Sequence, residues 1–472
     1  MTQAHLPIDE AELPGLFAPL GSFRVLVLAV SGGCDSMALM HLAADWRQAL
    51  RAQSSPDMCV PDLVVVTIDH GLRSDSAAEA AFVAREAGGR GLAHRTLRWA
   101  GPHPASGVQA AAREARYDLL HAVAREMGGA VVTAHTASDQ AETFVMRLLR
   151  GSGVDGLAAM PVTGAVTRAA LDGCPVTIPL LRPLLGVSRD RLYATLAGRK
   201  LPFVEDPSNA DRRFERVRVR QALQALEGLG LSREALVRAT GRMQRAHHAL
   251  AAATDALQAR DSRLLLDAVH EVDWTGLVAE PELGIRLLRR LVGDAGGGAL
   301  AAELSAVEAA FERVRTARGR FSFTLGGAII EGEATAGGVV LIFREPDRAG
   351  GLQRIRLSPG MAVVWDDRFQ AALWAGHPGS VEIGPLGSDI VDLLAKYSGL
   401  SPLPVPAGAV RGLPAFRQDD ELVAVPALAE LLRSRGDEAG ARALLGPTHS
   451  VNDDHNASRG PNMVARRKIR KG

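Results

Sequence analysis

The first half of the chain alternates short apolar runs with segments of helical spacing. Continuous apolar runs predict buried strands, and apolar positions three or four residues apart predict the helices that cover them. The predicted strands are residues 25–30, 63–68, 92–97 and 130–133, and the predicted helices are residues 37–50, 76–87, 108–127 and 137–149. This β-α-β-α order predicts a parallel sheet covered on both faces, whose ligands lie beyond the carboxyl ends of the strands.

Two changes of pattern divide the rest of the chain. Residues 231–318 are rich in Ala, Leu and Arg with helical spacing, whereas residues 320–343 form short strand-like runs joined by glycine turns. The fold class is therefore predicted to be α/β, with a parallel-sheet domain followed by a mostly helical domain and a small mixed α/β module. The predicted boundaries are 1–225 for the parallel-sheet domain, 226–319 for the helical domain, 320–447 for the C-terminal β-containing module and 448–472 for a disordered basic tail.

Composition and charge exclude several classes of protein. The 472 residues are 47% hydrophobic, which argues against a mostly disordered chain. No apolar run approaches the ~20 residues that a membrane-spanning helix needs, so we expect no membrane partner. The N-terminus lacks the charged start and apolar centre of a secretory signal, so we expect a cytoplasmic protein.

The distribution of charge is more informative than the net charge of +1. Arginine is clustered in residues 212–220, and basic residues are clustered again in residues 466–471. Such clusters suit the phosphates of a nucleic acid, although a GC-rich genome would also produce them. Cys34, Cys59 and Cys174 are too few and too far apart in the chain for a disulfide framework, a zinc ribbon or a paired-thiol redox site.

The strongest motif links the first predicted strand to the first predicted helix. It consists of Ser31, Gly32, Gly33, Cys34, Asp35 and Ser36. Two glycines allow a sharp turn and close approach to a ligand, and amides at a helix N-terminus bind anions. The hydroxyl groups suit phosphate oxygens and Asp35 suits Mg²⁺. A capped turn is the simpler alternative, and a Walker A loop is excluded because the chain contains no Gly-Lys pair.

Polar residues follow two other predicted strands. Asp69 and His70 end the second strand, and His135 ends the fourth, with Asp139 and Glu142 one helical turn apart behind it. Asp69 and His70 are either the start of a loop or a contact to the ligand. Because the carboxyl ends of parallel strands meet at one edge of a sheet, His135, Asp139 and Glu142 predict an acid/base or metal cluster that faces the loop. The alternative is helix capping, since acids are favoured in the first turn of any helix.

Two further motifs are less specific. Arg113, Arg116 and Tyr117 share one face of the predicted helix 108–127, which suits phosphate, although a solvated surface is the simpler interpretation of these residues alone. The string from Gly151 to Gly156 fits G-x-G-x-x-G letter by letter. It follows a helix instead of a strand, so it is not a dinucleotide-binding fingerprint.

Together these strings resemble the tRNA(Ile)-lysidine synthetases, a family of PP-loop proteins (N-type ATP pyrophosphatases). The resemblance is carried by residues 31–36, 69–73, 112–117, 135–143, 148–156, 182–185 and 206–209. It is specific through the first half of the chain and looser beyond residue 231. The resemblance makes residues 1–225 the catalytic domain and the later domains the part that holds tRNA.

The resemblance implies ATP and Mg²⁺ as cofactors, with an isoleucine tRNA of CAU anticodon and free L-lysine as partners. In this family O2 of the wobble cytidine attacks the α-phosphate of ATP, and the amine of lysine then displaces AMP at C2 to give lysidine, so that AUA is read instead of AUG. A homodimer is compatible with the sequence.

Roles follow from the resemblance by position. The implied catalytic residues are Asp35, Arg113, Arg116, His135, Asp139 and Glu142. The implied ATP-binding residues are Ser31, Gly32, Gly33, Cys34, Asp35, Ser36 and Asp69, and the implied metal ligands are Asp35 and Asp139.

Two departures from the family pattern keep alternatives open. Ser138 stands where the family usually has an acid, and Val217 stands where it commonly has asparagine. A non-catalytic RNA-binding paralogue is therefore one alternative. The other is a PP-loop tRNA thiolase, against which the lack of paired cysteines counts. A GMP-synthetase-like amidotransferase is disfavoured because no glutaminase domain precedes the loop.

Overall fold

The computed structural model describes most of the chain, in two compact units. The described residues are 6–53, 60–71, 76–101, 107–169, 175–205, 215–228, 230–297, 302–346, 351–445 and 463–467. The first unit comprises the described residues up to His248, and the second comprises those from Ala249 onward. Several residues named above as parts of sequence motifs or as cysteines lie outside these ranges, namely Cys59, residues 72–73, Cys174 and residues 206–213.

The first unit is built on one six-stranded sheet. Its strands are β1 (Val25–Ala29), β2 (Asp62–Asp69), β3 (Ala93–Arg98), β4 (Ala130–Val132), β5 (Thr163–Ala169) and β6 (Pro175–Leu181). Its helices are α1 (Leu13–Phe17), α2 (Cys34–Gln53), α3 (Ser76–Gly89), α4 (Val108–Glu126), α5 (Ala137–Leu149), α6 (Val154–Leu157), α7 (Arg189–Gly198), α8 (Glu215–Glu227) and the first part of α9 (Arg233–Asp261). The four predicted strands and four predicted helices are therefore present, with ends shifted by at most three residues.

The sheet has the order β3-β2-β1-β4-β6-β5, and every pair except β5–β6 is parallel. Alternate side chains of β1 enter two different cores. Leu26 and Leu28 pack with α2 on one face, whereas Val27 packs with α4 on the other. Burial on both faces explains why β1, β2 and β4 are continuous apolar runs. The α/β fold class is confirmed, although the hairpin of β5 and β6 was not predicted.

The strand order places a switch point at β1. The chain passes from β1 to β2 on one side and later returns to β4 on the other side. The loops that leave the carboxyl ends of β1 and β4 therefore diverge and open a crevice between them. The motif at residues 31–36 leaves β1, and the segment that carries His135 leaves β4.

The second unit contains three sheets, seven complete α-helices and the last part of α9 among its described residues. Its strands are β7 (Ser262–Leu265), β8 (Val269–Asp273), β9 (Gly319–Leu325), β10 (Ala328–Ala334), β11 (Val339–Arg344), β12 (Ile355–Leu357), β13 (Ala362–Trp365), β14 (Phe369–Leu373), β15 (Val381–Pro385), β16 (Pro414–Gln418), β17 (Glu421–Ala424) and β18 (Met463–Arg467). Its complete helices are α10 (Trp274–Ala279), α11 (Pro281–Ala295), α12 (Leu304–Thr316), α13 (Ile390–Lys396), α14 (Ala407–Val410), α15 (Pro426–Ser434) and α16 (Glu438–Ala443). The sheet orders are β7-β8-β11-β10-β9, β12-β15-β16-β17 and β13-β14-β18.

These elements cut across the expected boundaries. The boundary between residues 319 and 320 falls inside the sheet β7-β8-β11-β10-β9, and residues up to His248 of α9 belong with the first unit. The hairpin of β7 and β8 was missed because its turn, Leu266 and Asp267, adopts positive φ (51° and 54°) without the Gly or Asn that usually marks such a turn. Strand β18 lies within the expected tail and pairs with β14.

No described helix is long and apolar enough to cross a membrane.

A buried ion-pair network joins parts of the second unit. Asp366 accepts hydrogen bonds from Arg344 at 2.8 Å and from Arg368 at 2.7 Å, and all three side chains are nearly buried. Arg344 also donates to the carbonyl oxygen of Gly296 at 2.7 Å. Loss of this carboxylate would remove a counter-charge that two buried guanidinium groups share, which is costly.

We therefore expect Asp366→Asn to lower the free energy of unfolding of this unit by about 2 to 3 kcal/mol. The matched control is Asp367→Asn, because Asp367 is the exposed neighbour with the same left-handed backbone. Urea denaturation of both variants measures the difference. Equal stability of the two variants would contradict a stabilising role for the network.

Candidate active site

The loop between β1 and α2 is folded around the hydroxyl group of Ser36. That hydroxyl donates to the carbonyl oxygen of Gly33 at 2.9 Å and accepts from the amide of Ser31 at 3.2 Å. The amide of Met37 donates to the same Gly33 oxygen at 2.9 Å and so continues the first turn of α2. Ser36 is thus committed to the shape of the loop, while the Ser31 residue is exposed.

Glycine is required at the two positions of this loop for different structural reasons. Gly32 has φ of 90°, which side chains rarely permit, and a Cβ there would lie 3.4 Å from Val83. A Cβ at Gly33 would meet no protein atom nearer than 3.9 Å, so the space beside Gly33 is open to a ligand. The amide of Val204 donates to the carbonyl oxygen of Gly32 at 2.9 Å and ties the segment after α7 to the loop.

Helix α5 presents two of the predicted acids from its first turn and a half. Asp139 closes a capping box, in which its Oδ2 accepts from the amide of Thr136 at 2.9 Å and from the Thr136 hydroxyl at 3.0 Å. Glu142 is buried, and its Oε1 accepts from Arg220 Nε at 2.7 Å. Its Oε2 is buried without a hydrogen-bond partner among the described residues. Both proposed explanations of Asp139 therefore coexist, since it caps the helix and also faces a cavity.

A cavity of about 550 Å³ brings three of the predicted acids together. Asp35 from α2 and Asp139 and Glu142 from α5 all line it. Further wall residues come from α7, α8 and α9, namely Arg189, Arg191, Arg220, Gln224, Arg233, Glu234, Val237 and Arg238. We call this the acidic cavity, after these three predicted acids; Asp190 and Glu234 also line it. Each of the three faces an arginine, with Arg189 3.6 Å from Asp35 and Arg216 3.8 Å from Asp139.

The pKa of the Asp35 carboxyl group is strongly shifted by its surroundings. Burial raises the pKa of Asp35 to about 6, against the opposing effect of Arg189, and the nearby carboxylates of Asp139 and Glu142 raise it further. Its Oδ1 atom is buried without a hydrogen-bond partner among the described residues. An ionised acid in such a place is costly unless a cation binds to it.

The donor set at Asp35 fits a magnesium ion that arrives with phosphates. Within the described ranges, no group of three His, Cys, Asp or Glu side chains could hold a metal ion. Mg²⁺ commonly binds one or two carboxylates and completes its shell with water and substrate phosphates. The orphaned Oδ1 of Asp35 suits this arrangement, whereas Asp139 has Oδ2 committed to the helix cap.

His135 lies between the acids and a group of arginines. Its Nδ1 is 2.8 Å from the Thr133 hydroxyl, and burial holds the pKa of His135 far below its usual range, with help from Arg182, Arg116 and Arg113 against the effect of Asp139. The imidazole is therefore neutral at physiological pH.

The arginine group contains two orphaned guanidinium nitrogens. The Nε atoms of Arg116 and Arg182 are buried without hydrogen-bond partners among the described residues, and burial lowers the pKa of both groups. Arg113 and Arg116 lie over the ring of Tyr117, at 5.2 and 5.5 Å from its centroid. Arg116 is thus not on a solvated helix face, contrary to the simpler interpretation, and its partly desolvated cation suits an anionic ligand.

Two other predicted residues are engaged in local structure. The carboxylate of Asp69 accepts from the amide of Gly71 at 2.8 Å, and hydrogen bonds from Ser76 and Gly71 lower its pKa. Cys34 is the one cysteine among the described residues, and burial raises the pKa of its thiol to about 11. The Cys34 thiol is therefore protonated at physiological pH and is a poor nucleophile.

Sequence reasoning missed part of the cavity wall. Arg189 was not predicted as a site residue, because a single arginine after Pro-Leu-Leu-Gly-Val-Ser is typical of an ordinary helix start. Arg220 was noted only as one member of a basic cluster. The α9 residues were not predicted either, since Glu234, Val237 and Arg238 fit an amphipathic helix of any function.

Fold, switch-point loop and acidic cavity together define a PP-loop protein. In agreement, the PP-loop domain family matches residues 7–227. The solved U34-tRNA thiolase NcsA from Methanococcus maripaludis is 15% identical, with a TM-score of 0.41, and the match covers 50% of this chain and 78% of that one. That likeness is too weak to favour a thiolase.

Three curated relatives, all named tRNA(Ile)-lysidine synthase, identify the family. The protein of Rhodopseudomonas palustris is 43% identical over 73% of this chain and 98% of its own length. That of Methylobacterium nodulans is 42% identical over 74% of this chain and 100% of its own length. That of Mesorhizobium japonicum is 34% identical over 87% of this chain and 86% of its own length. The chain belongs to the tRNA(Ile)-lysidine synthase family, and the resemblance drawn from the motifs is confirmed.

Proposed function

We propose that this protein is a ligase that joins L-lysine to C2 of the wobble cytidine of an isoleucine tRNA with the anticodon CAU. ATP is converted to AMP and pyrophosphate in the reaction. One observation carries the proposal in the structure: Asp35 belongs both to the phosphate-binding loop and to the acidic cavity. A nucleotide at the loop and an amine in the cavity would therefore meet at one residue.

In the first step O2 of the cytidine attacks the α-phosphate of ATP, and pyrophosphate leaves. The open space at Gly33 and the N-terminus of α2 suit the pyrophosphate part of ATP. The orphaned nitrogens of Arg116 and Arg182 suit the charge that develops on the α-phosphate. Mg²⁺, with Asp35 as its protein ligand, would neutralise phosphate charge.

In the second step the amine of lysine attacks C2 and the C2–O2 bond breaks, so AMP leaves with O2 as one of its phosphate oxygens. Asp139 and Glu142 suit the binding of a cationic amine, because Glu142 Oε2 is buried and lacks a partner among the described residues. The attacking nitrogen must lose a proton before it is nucleophilic, and a carboxylate of the cavity accepts that proton. The neutral His135 acts as a hydrogen-bonding group in this scheme.

The remaining parts of the proposal concern tRNA and location. Arginine-rich segments after residue 212 and in α9 would hold the tRNA, mostly through phosphates. A cytoplasmic location follows from the substrate, because tRNA is modified where it is made and used. Ser138 lines the cavity in place of an acid, so Asp35, Asp139 and Glu142, without a carboxylate at position 138, would bind the amine.

The proposal is tested with purified protein, Mg·ATP, radiolabelled lysine and two transcripts that share the CAU anticodon. One transcript is the isoleucine tRNA, and the other is the methionine tRNA. We expect label on the isoleucine transcript alone. Equal labelling of both transcripts would contradict the proposed tRNA specificity.

Other outcomes separate the alternatives. Release of AMP without label would keep the adenylation step and point to another nucleophile, such as the sulfur of a thiolase. The protonated state of Cys34 speaks against that thiol as a sulfur carrier. Neither AMP nor label with either transcript would favour a non-catalytic RNA-binding protein.

A further inference from the structure

The segment between α5 and β5 is held by unusually many side-chain hydrogen bonds to its backbone. Gln140 pairs with both backbone groups of Met160: its Nε2 donates to the carbonyl oxygen at 2.6 Å, and its Oε1 accepts from the amide at 3.0 Å. Arg147 donates to the carbonyl oxygens of Gly156 and Ala159 at 2.8 and 2.9 Å. Both side chains belong to α5, the helix that carries the acids of the cavity.

Side chains of helix α9 also bind the segment between α5 and β5. Gln244 Nε2 donates to the carbonyl oxygen of Met160 at 3.0 Å and to that of Ala158 at 3.1 Å. His247 Nδ1 lies 2.7 Å from a carboxylate oxygen of Asp155. The Met160 carbonyl oxygen is therefore shared by an amide group from α5 and one from α9.

The backbone of this segment is strained at one residue. Ala159 has φ of 50°, a left-handed conformation that is unfavourable for any residue except glycine, and it is buried. Such strain persists only where the surroundings fix the backbone, and it marks places where geometry matters for function.

The two helices joined in this way both line the acidic cavity. Asp139 and Glu142 of α5 flank Gln140 in sequence, and Val237 of α9 lies seven residues before Gln244. A spacing of seven places Val237 and Gln244 on the same helix face, about 10 Å apart along the axis. Gln244 does not line the cavity, but it fixes the helix face that does.

We propose that Gln244 is a positioning residue that sets the width of the acidic cavity and hence its selectivity for the length of the amine substrate. The inference rests on the proposed lysine-binding role of that cavity. A wall that cannot move discriminates between amines that differ by one methylene group, and a wall that can move accepts both. The hydrogen bonds of Gln244 are to Ala158 and Met160, not to the loop after β1 or to Asp35, so we expect replacement of Gln244 to change ATP binding little.

The test uses two variants that remove the donor at nearly constant volume, Gln244→Met and Gln244→Glu. The matched control is Gln258→Met, because Gln258 is also half-buried on α9 and lies about 21 Å further along the helix. Steady-state assays with the full chain, isoleucine transcript and Mg·ATP give KM for lysine, KM for ATP, and kcat/KM for L-ornithine, which is one methylene shorter.

We expect both Gln244 variants to raise KM for lysine about tenfold, to lower the preference for lysine over ornithine about tenfold, and to leave KM for ATP within about twofold. The control should match the wild type in all three quantities. An unchanged KM for lysine and unchanged selectivity in a folded Gln244 variant would overturn the proposal. A parallel rise of KM for ATP would also overturn it, since that would indicate a general structural defect.

A second measurement does not depend on the reaction. Hydrogen–deuterium exchange of the α9 backbone around residues 233–244 should become faster in both Gln244 variants than in the wild type and in Gln258→Met. Unchanged exchange would overturn the positioning role of Gln244, even if the wild type failed to use lysine. A wild type without lysine transfer, in contrast, would overturn only the proposed function.

Discussion

Replacement of Glu142 by glutamine should abolish lysine transfer while adenylation of the tRNA continues. Glu142 is 2% exposed, its Oε1 pairs with Arg220, and its Oε2 is the orphaned acceptor of the acidic cavity. Loss of a buried charge that binds a cationic substrate costs about 4 kcal/mol, which corresponds to a factor of about 10³ in lysine transfer. Adenylation needs the loop and the arginine group, which this variant leaves intact.

The measurement is a single-turnover assay with labelled ATP and isoleucine transcript, first without lysine and then with it. Adenylated tRNA should accumulate in Glu142→Gln and should turn over in the wild type. Glu215→Gln is the control, because Glu215 is an exposed acid of α8 that pairs only with Arg150 in the described structure. Lysine transfer within tenfold of the wild type would remove Glu142 from the proposed amine site.

Replacement of Asp35 by asparagine should stop the reaction one step earlier. Asp35 lies where the loop and the cavity meet, and its orphaned Oδ1 is the fitting ligand for a phosphate-bound cation. We expect release of AMP and pyrophosphate to fall by a factor of about 10³, and lysine transfer with it. Release of AMP at the wild-type rate by Asp35→Asn would contradict the assignment of Asp35 to the adenylation step.

The same substitution should stabilise the protein at neutral pH. The folded-state pKa of Asp35 is about 6, above its ordinary value of 3.8, so the ionised carboxylate opposes folding. The wild type therefore loses stability, relative to the variant, as pH rises from about 4 through 6, by on the order of 3 kcal/mol at pH 7.5. Denaturant unfolding in EDTA at pH 7.5 and pH 4 compares the two proteins. A less stable variant at pH 7.5 would indicate that the carboxylate is satisfied in the folded protein.

Local sequence determined four of the six strands of the first sheet and the position of the site. The strands β1, β2 and β4 were predicted because a strand buried on both faces needs an unbroken apolar run, which is a property of neighbouring residues. The edge strand β3, whose side chains are mostly exposed, was predicted from a weaker pattern. The string at residues 31–36 was predicted as a phosphate loop because its glycines and hydroxyls lie between a strand and a helix. The place of His135, Asp139 and Glu142 followed from the rule that carboxyl ends of parallel strands share an edge.

Local sequence did not predict a hairpin whose turn lacks the residues that usually form one. The hairpin of β7 and β8 turns at Leu266 and Asp267, which adopt a backbone conformation that their side chains disfavour. Tertiary contacts hold it, since β8 pairs with β11, about 70 residues later in the chain. A segment that was predicted to be helical by composition therefore contains two strands.

The walls of the site were decided by tertiary structure alone. Arg189, Arg220 and Glu234 come from three helices, and nothing in their local sequence distinguishes them from surface residues. The raised pKa of Asp35 and the neutral state of His135 depend on burial, which is produced by packing of distant segments. The shared carbonyl group of Met160 is a contact across 84 residues. Periodicity reports which face of an element is buried, but only packing decides which residues of other elements it meets.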